Sequence, residues 1–338
     1  MPSPLRIVQY GLGPIGQATA RSVLEKSTSE RVRLAGAIDI DPDKVGRDVA
    51  DLIGLDASCG VTVSDDAESV LAETAPDVVL HTTTSFLDEM HEQLRTCARA
   101  GAHVVSSTEE LAYPYDRHPD LADDLDATAR EHGVTVVGTG VNPGYAMDTL
   151  ALTATGACQD VQQISVERLV NAGARRGPLQ EKVGAGLSAD AFAEKKATGT
   201  FGHIGLRESL LMLADGLGWS FDQIDERLDP VIAEKSVETP HAAVARDEVA
   251  GIHHTITGHV DSEILLSLDL KMYVGAREEH DRVHVEGNPP VDLKIRGGIF
   301  GDTATVAMLV NTAPLAAEAR SGLHTMKDLP VPRAFATR

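Results

Sequence analysis

The sequence of 338 residues is poor in basic residues. It holds 30 Lys and Arg against 51 Asp and Glu, which gives a formal net charge of −21. Nucleic acids and anionic membranes both select cationic surfaces, so this balance argues against either as a partner. We interpret the acidity as a solubility feature, although adaptation to high salt would produce the same composition.

Cysteines are scarce as well. Cys59, Cys97 and Cys158 are odd in number, far apart and outside any CxxC pair, so neither a disulfide framework nor a zinc site is expected. The sequence has no HExxH motif, calcium-binding loop or G-x-S-x-G motif, and we expect no metal site. No apolar run reaches the roughly 18 residues of a transmembrane helix, and no signal-like segment opens the chain. These absences predict a cytoplasmic protein.

The first 140 residues alternate short apolar segments with amphipathic ones. Strands are predicted at 5–10, 32–39, 61–63, 76–84, 103–108 and 134–140. A helix is predicted over 41–54, with Asp41 as its N-cap. Strands that alternate with helices of about 10–15 residues are joined by right-handed crossovers, which predicts an α/β fold built on a Rossmann-type doubly wound parallel sheet.

The pattern changes after Asn142. Closely spaced strands at 249–260, 263–275 and 281–298 indicate a second α+β domain with a mixed or antiparallel sheet. We predict a dinucleotide-binding domain over 1–142 and a second domain over 143–301. The C-terminal segment, 302–338, begins with a helix that we expect to pack back on the first domain.

A glycine motif follows the first strand and opens a helix. Gly11, Gly13 and Gly16 form G-x-G-x-x-G, with Pro14 and Ile15 between the last two glycines. The first glycine permits a tight turn, the second lets the backbone approach a pyrophosphate, and the third lets helix and strand pack closely. The helix N-terminus offers N–H groups and a partial positive charge to phosphate. This context predicts a dinucleotide site rather than a glycine-rich turn without a ligand.

An acid stands where the ribose of a dinucleotide requires one. Asp39 ends the second strand, about 20 residues after the motif, and can accept hydrogen bonds from a ribose 2′-OH. Asp39 and Asp41 would repel the 2′-phosphate of NADP, whereas Lys44 and Arg47 would partly offset that repulsion. We predict NAD as cofactor, with tolerance of NADP.

Two other strand ends carry polar residues. Thr83 lies at the end of the 76–84 strand and Asn142 follows the sixth strand. Ligands of such sheets gather at the carboxyl ends of the strands, so Thr83 is expected to contact the cofactor. The Asn142 amide is placed to hold a nicotinamide carboxamide, although a turn-forming role before Pro143 stays open.

The fifth strand leads into two adjacent acids, Glu109 and Glu110. Successive strand residues face opposite ways, so at most one of them is expected to point to the ligand side. A carboxylate there can carry protons in catalysis. Helix capping or a solvated face is the alternative interpretation of the pair. His203, His253, His254 and Lys182 are weaker candidates, for which structural or solvated positions are expected.

Several stretches, in order over nearly the whole chain, resemble the 2,4-diaminopentanoate dehydrogenase family and its relatives, the native amine dehydrogenases. They are YGLGPIGQATA, AIDIDPDKVGRD, STEELAYP, GTGVNPGYAMD, RRGPLQEKVGAG, GHIGLRES, GDTATVAMLVN and GLHTMKDLPVP. The resemblance implies a dihydrodipicolinate reductase-like fold, in which the second domain binds substrate and forms a homodimer. Dihydrodipicolinate reductase activity is not implied, because IHHTITGHVDSEI has paired histidines without the rest of that enzyme's motif.

The resemblance also implies a reaction and a set of site residues. The reaction is NAD(P)-dependent reductive amination of a small ketone or aldehyde with ammonia, and the reverse oxidative deamination of an amine. Glu109 matches the family's proton-transfer residue, with Glu110 as second choice. Positions that match the family's substrate pocket are Tyr145, Met147, Leu169, Asn171, His203 and Thr312.

The substrate stays open between two chemical classes. Leu169 and Met147 favour an apolar pocket and hence a simple amine dehydrogenase. The alternative is a 2,4-diaminopentanoate dehydrogenase, in which Arg175, Arg176 or Lys182 would hold the substrate carboxylate. A third reading, from another class, is a dinucleotide-binding regulator without catalysis.

Overall fold

The computed structural model describes residues 3–27 and 31–335, so positions 336–338 of the predicted C-terminal segment lie outside the described residues. The chain divides into two compact units. Unit 1 comprises Met1–Tyr145 and Phe300–Arg338, and unit 2 comprises Ala146–Ile299. Each unit has its own sheet and its own hydrophobic core.

Unit 1 is built on a parallel sheet of seven strands. The strands are β1 Leu5–Tyr10, β2 Val32–Ile38, β3 Val63–Ser64, β4 Val78–His81, β5 His103–Ser106, β6 Thr135–Gly138 and β15 Gly322–His324. Their order is β15-β6-β5-β4-β1-β2-β3, and every neighbouring pair is parallel. All residues of β4 and β6 are buried, as expected where helices cover both faces of a sheet. The predicted Rossmann-type architecture is confirmed.

Within the described residues of this unit there are six helices. They are α1 Pro14–Lys26, α2 Val49–Leu52, α3 Ala67–Thr74, α4 Leu87–Arg99, α5 Pro119–Glu131 and α10 Gly301–Glu318. Helices α3, α4 and α5 share one core cluster with the sheet, while α10 packs against α1 and strands β4–β6. The strand order reverses between β1 and β4, which places the ends of these two strands at the switch point where such sheets bind ligands.

The helix predicted over 41–54 is wrong in its first half. Its beginning is a turn that contains Gly46 at φ +83°, and α2 begins only after Asp48, which caps it. The Gly46 N–H donates to Val63 O at 2.9 Å, so this stretch pairs with the segment that leads into β3. Tertiary pairing therefore overrides the helical spacing of the apolar residues.

Unit 2 is built on a mixed sheet of six strands, as predicted. Its strands are β7 Asp160–Asn171, β8 Gln223–Ile232, β11 Val249–Val260, β12 Glu263–Tyr273, β13 His280–Asn288 and β14 Val291–Arg296, with a separate pair β9 Val237–Glu238 and β10 Ala243–Val244. The order is β14-β13-β7-β12-β11-β8, and only β7 and β12 are parallel. The sequence pattern missed β8, an edge strand that contains Pro230, a residue tolerated in sheets chiefly at edges.

The two faces of this sheet differ. The helices of unit 2 are α6 Thr149–Thr155, α7 Gly177–Lys182, α8 Ala189–Lys196 and α9 Leu206–Leu217. Helices α6 and α9 cover one face, where they pack on Ile164, Val166, Ile256 and Leu268. The other face, called the polar face below, carries half-buried side chains, among them Ser165, Glu167, Thr255, Thr257, Ser267, Asp269 and Arg282. No helix of the described chain is long and apolar enough to cross a bilayer.

Candidate active site

The glycine turn between β1 and α1 has the shape that a dinucleotide pyrophosphate needs. Gly11 lies at φ +86°, and a Cβ there would come within 2.5 Å of Thr82 O. A Cβ on Gly16 would overlap Gly11 O, so only glycine allows the helix this close to the strand. At Gly13 nothing lies within 4 Å of the Cβ position, which leaves room for a phosphate at the N-terminus of α1. The turn therefore fits the cofactor.

A buried glutamine that the sequence analysis did not single out holds this turn in place. Gln9 is fully buried in β1, and its Nε2 donates to Gly11 O at 2.9 Å and to Thr82 Oγ1 at 2.8 Å. The Thr82 hydroxyl also lies 2.9 Å from Gly11 O. A polar side chain in the middle of an apolar strand was the available signal, because a buried amide must find partners.

Asp39 organises the start of the site at the end of β2. Its side chain is nearly buried, with Oδ2 accepting from Leu12 N at 2.5 Å and from Lys44 Nζ at 3.2 Å. Lys44 also pairs with Asp41 at 3.2 Å. Burial lowers the pKa of Lys44, but its hydrogen bonds to Asp41 and Asp39 outweigh this and the pKa is raised. Lys44 is therefore a cation at the carboxylate that is expected to meet the ribose.

Ile40 and Arg47 also bear on the environment of Asp39. Ile40 is 80% exposed, although it is a large apolar residue, and it immediately follows the predicted ribose-binding acid. Arg47 points elsewhere, with Nη1 3.5 Å from Asp43 O. Of the two bases predicted to offset the acids, only Lys44 reaches them.

Thr83 follows β4 and Asn142 follows β6, with β5 between these two strands in the sheet. The methyl group of Thr83 is 3.0 Å from the Cβ position of Gly11, so Thr83 borders the glycine turn. Its hydroxyl is turned away, towards Met90 Sδ at 2.5 Å and His81 Nε2 at 3.1 Å. Asn142 is 9% exposed and follows β6. Both cofactor roles stay predictions.

The two acids do not lie in a strand. β5 ends at Ser106, whose Oγ accepts from Thr108 N at 3.1 Å and bends the backbone. Glu109 and Glu110 form the first turn of a 3₁₀ helix, Glu109–Ala112. The argument from strand pleating is therefore wrong, and the helical turn rather than the pleat separates the two side chains.

The two acids have different surroundings. Glu110 is 5% exposed. Its Oε2 accepts a hydrogen bond from Leu87 N at 2.8 Å and lies 2.8 Å from His118 Nε2. This carboxylate caps the N-terminus of α4, which favours negative charge. Glu109 is half-buried. Of the two, Glu110 is committed to the scaffold.

A buried histidine lies under the same turn. His81 Nδ1 is 2.9 Å from Ser106 Oγ, and Nε2 is 3.0 Å from Gln93 Oε1. Burial lowers the pKa of His81 to about 4, so the ring is neutral near neutral pH. Its role is to connect the ends of β4 and β5.

The residues predicted to line the substrate pocket are divided between the two units. Tyr145 and Thr312 belong to unit 1, where Thr312 is fully buried in α10. In unit 2, Met147 is fully buried in the core with α9. Leu169 pairs in register with Lys271 and lies on the polar face, whereas the core lies on the opposite face. Met147 and Leu169 therefore lie on opposite faces of the unit 2 sheet, and their role in an apolar pocket stays a prediction.

Asn171 has a structural role at the end of β7. Its Oδ1 accepts from Gly173 N at 3.0 Å and from Gly275 N at 3.2 Å, which closes the turn after the strand. The pocket role of Asn171 stays a prediction.

His203 packs against a second histidine, His254, which is not among the positions that match the family's substrate pocket. Its ring lies 6.3 Å from that of His254, centroid to centroid, in an edge-to-face arrangement. His254 is 5% exposed on the core face of β11, opposite to its neighbour His253, as strand pleating predicts. Within the described residues, His203 Nε2 and His254 Nδ1 are buried without a hydrogen-bond partner.

Charges of both signs surround this histidine pair, because the Glu226 carboxylate lies 2.9 Å from His254 Nε2. The pKa of His203 is lowered well below its ordinary value, first by burial and then by the charges of Lys182, His254 and Arg168. Arg168 is itself paired with the buried Asp281. The buried His203 Nε2, without a partner within the described residues, can donate to a carboxylate, whereas His254 Nε2 already donates to Glu226.

Comparison with known proteins gives matches over both units. The family profile described as the 2,4-diaminopentanoate dehydrogenase C-terminal domain matches residues 145–338, and the profile of the dihydrodipicolinate reductase N-terminus matches residues 5–112. A 2,4-diaminopentanoate dehydrogenase of Acetoanaerobium sticklandii is 34% identical, over 98% of this chain and 95% of the relative. The chain belongs to the 2,4-diaminopentanoate dehydrogenase family.

Two amine dehydrogenases are similar at lower identity. One, from Streptomyces virginiae, is 26% identical over 96% of each chain. The solved structure of the other, from Mycobacterium smegmatis, superposes with a TM-score of 0.87 at 28% identity, over 98% of each chain. As a member of the 2,4-diaminopentanoate dehydrogenase family, the protein is an NAD(P)-dependent oxidoreductase that acts on CH–NH₂ groups. Among the described residues no cluster of His, Cys, Asp or Glu is arranged to hold a metal.

Proposed function

We propose that the protein oxidatively deaminates a diamino acid, with NAD as preferred cofactor, and that the reverse reductive amination runs on the same residues. The observation that carries the substrate class is the buried Nε2 of His203, which has no hydrogen-bond partner within the described residues and whose ring packs edge-to-face against that of His254. A substrate carboxylate would accept a hydrogen bond from this nitrogen, while the charges of Lys182 and Arg168 favour its negative charge.

The reaction balances with water as the second reactant. An ammonium substrate, oxidised cofactor and water give a carbonyl product, an ammonium ion, reduced cofactor and one proton. When bound, the nicotinamide accepts the hydride from the amine-bearing carbon. Gly11, Gly13 and Gly16 would hold the pyrophosphate and Asp39 the ribose. Thr83 and Asn142 remain our candidates for the nicotinamide end.

Glu109 is the proposed proton carrier. It takes a proton from the substrate ammonium, because only the free amine can release electron density towards the carbon that loses hydride. After it passes that proton to water, its restored negative charge stabilises the iminium ion. When water attacks the iminium carbon, Glu109 accepts a proton of the water and returns it to the nitrogen that leaves as ammonia. Support for this choice is the commitment of the adjacent Glu110 to α4 and His118.

A comparison of two substrates tests the proposal. 2,4-Diaminopentanoate and butane-1,3-diamine differ by the carboxylate alone. Each hydrogen bond to a charged group contributes about 1.5–3 kcal/mol, so kcat/KM should favour the diamino acid by roughly 10-fold or more. His254→Ala should reduce that preference and leave the rate with the diamine unchanged, with His253→Ala on the other face as control. Equal kcat/KM for both substrates in the wild type would exclude a carboxylate site.

A simple amine dehydrogenase is the second candidate. The two relatives named amine dehydrogenases, at 26% and 28% identity, favour it. It predicts activity with simple ketones and ammonia that His254→Ala leaves untouched. No absorbance change with NADH, ammonia and a broad panel of ketones and keto acids would instead favour a dinucleotide-binding regulator.

The preference for NAD over NADP rests on the acids at the end of β2. Asp39 and Asp41 would repel a 2′-phosphate, and Lys44 only partly compensates because it is shared between them. Kinetic constants with both cofactors measure the preference directly. A strong preference for NADP would contradict the role given to Asp39.

A homodimer is proposed through the polar face of unit 2. Register places Asp269 beside Glu167 and Glu167 beside Arg282, so acids and a base share one row. The next row holds the small residues Thr257, Ser267 and Ser165 (register pairs Thr257 with Ser267 and Ser267 with Ser165). A second copy, turned about a twofold axis, can set acids against bases across a flat row of small side chains.

Free thiols at Cys59, Cys97 and Cys158 support the cytoplasm as location.

A further inference from the structure

The turn that carries Glu109 is tied to the loop between β4 and α4. Thr108 Oγ1 donates to Thr84 O at 2.9 Å, directly before the turn. Glu110 N donates to Ser85 O at 3.2 Å, and the Glu110 carboxylate accepts from Leu87 N at 2.8 Å. The backbone N–H and the carboxylate of Glu110 therefore each form a hydrogen bond with the segment between β4 and α4.

The Glu110 carboxylate is also held from the opposite side. His118 Nε2 lies 2.8 Å from Oε2, and Arg117 Nε lies 3.6 Å from Oε1. His118 immediately precedes α5, so the pair links the N-terminal ends of α4 and α5. A carboxylate that is 5% exposed needs such partners, because an unpaired buried charge is costly.

Strand β6 closes the third side. A Cβ on Gly138 would lie 2.5 Å from Leu111 C and 2.6 Å from Ala112 N, so the strand backbone touches the end of the 3₁₀ turn. Leu111 and Ala112 are both buried there. The turn has contacts on each side that leave it little room to shift.

We propose that Glu110, His118 and Gly138 are positioning residues that hold Glu109 in its reactive place. The inference rests on the proposed role of Glu109. A single 3₁₀ turn has few bonds of its own, so its position depends on these neighbours. Displacement of a reacting group by about 1 Å can cost on the order of 10²-fold in rate, which makes such a clamp consequential.

Four variants of the clamp provide the test. Glu110→Ala and His118→Ala are expected to lower kcat by on the order of 10- to 10²-fold, with KM for the amine and the Kd for NADH near wild-type values. Glu110→Gln should recover much of the rate, because its amide oxygen still accepts from Leu87 N. His118→Gln should do the same, because its amide N–H still donates to Glu110. His132→Ala, at the other end of α5, is the matched control and keeps wild-type kcat.

Two outcomes would overturn the inference. If Glu110→Ala and His118→Ala lower the melting temperature but leave kcat unchanged well below it, the clamp only stabilises α4 and α5. If Glu110→Gln is as inactive as Glu110→Ala, the charge of Glu110 takes part in the chemistry itself.

Gly138→Ala approaches the clamp from β6 and involves no charge. It should lower kcat with KM and NADH binding retained, because the added Cβ pushes on the turn. Wild-type kcat in folded Gly138→Ala would contradict its positioning role. Glu109→Gln distinguishes the proposed catalytic role of Glu109 from the positioning role of its neighbours. If Glu109→Gln is inactive while the clamp variants are active, only the positioning role is contradicted. If Glu109→Gln is fully active, the proposed function fails first and the clamp with it.

Discussion

At the end of β5 in unit 1, buried polar groups satisfy one another, whereas the histidine pair of unit 2 leaves two buried nitrogens without partners in the described chain. The first cluster is complete without a ligand, so it can hold a neighbouring residue in place. The second is incomplete, and a buried donor such as His203 Nε2 without a partner in the described chain costs free energy that a bound anion would recover. The contrast separates groups that position from groups that recognise.

The strongest way to break this comparison is to remove the charge of Glu109. Glu109→Gln should keep NADH binding and lower kcat by roughly 10²-fold or more, as for other lost proton-transfer groups. Stopped-flow or steady-state rates and NADH fluorescence titration measure the two effects. Glu131→Gln, at the end of α5, is a matched control that should behave as wild type.

The reverse pattern would move the assignment by one residue. An active Glu109→Gln together with an inactive Glu110→Gln would show that the residue committed to the scaffold is also the chemical one. The polar cluster of unit 1 would then take part in the chemistry and would not serve only to position Glu109.

The second prediction concerns the polar face of unit 2. Ser165→Arg places a long cation in the row of small residues at the centre of the proposed interface. It should convert a dimer into a monomer in light-scattering measurements while the far-UV spectrum is kept. Ser220→Arg, at an exposed position of the same unit, should leave the mass unchanged. A monomeric wild type would rule out this interface.

The smallest expected effect is at the cofactor acids. Lys44→Ala removes a partly exposed cation shared by Asp39 and Asp41, and such pairs contribute at most about 1 kcal/mol. We therefore expect the ratio of kcat/KM for NADP to that for NAD to fall by roughly fivefold or less. Arg47→Ala, which the structure turns towards Asp43 O, should not change the ratio. An equal loss with both cofactors would mean that Lys44 does not discriminate.

Much of the fold could be predicted because the spacing of apolar residues along the sequence indicates strands and helices locally. The alternation of apolar segments and the three glycines were enough for the parallel sheet and its phosphate turn. The stretch 41–54 was mispredicted because its backbone pairs with a segment about 15 residues away, near Val63, and no local pattern records that pairing. Strand β8 was missed because an edge strand carries charges and Pro230 at no cost.

The sequence predicts which segments carry the candidate site residues, but not the contacts that those residues make. Sequence placed Asp39 and the acid pair at strand ends, yet it could not show that Lys44 joins two carboxylates or that Glu110 caps α4. These are side-chain contacts between segments far apart in the chain. Leu169 illustrates the same limit, since only the register of β7 shows that it lies on the polar face while Arg168 lies on the other.

That register has a consequence for how the chain can change in evolution or by design. Ile164, Val166 and Arg168 alternate along β7 with Ser165, Glu167 and Leu169, and each set belongs to one face only. A single inserted or deleted residue in this strand would exchange the sets, sending the partner of Asp281 outward and a carboxylate into the core. Length is therefore tightly constrained in β7, and differences in chain length between relatives are expected in the loops around it instead.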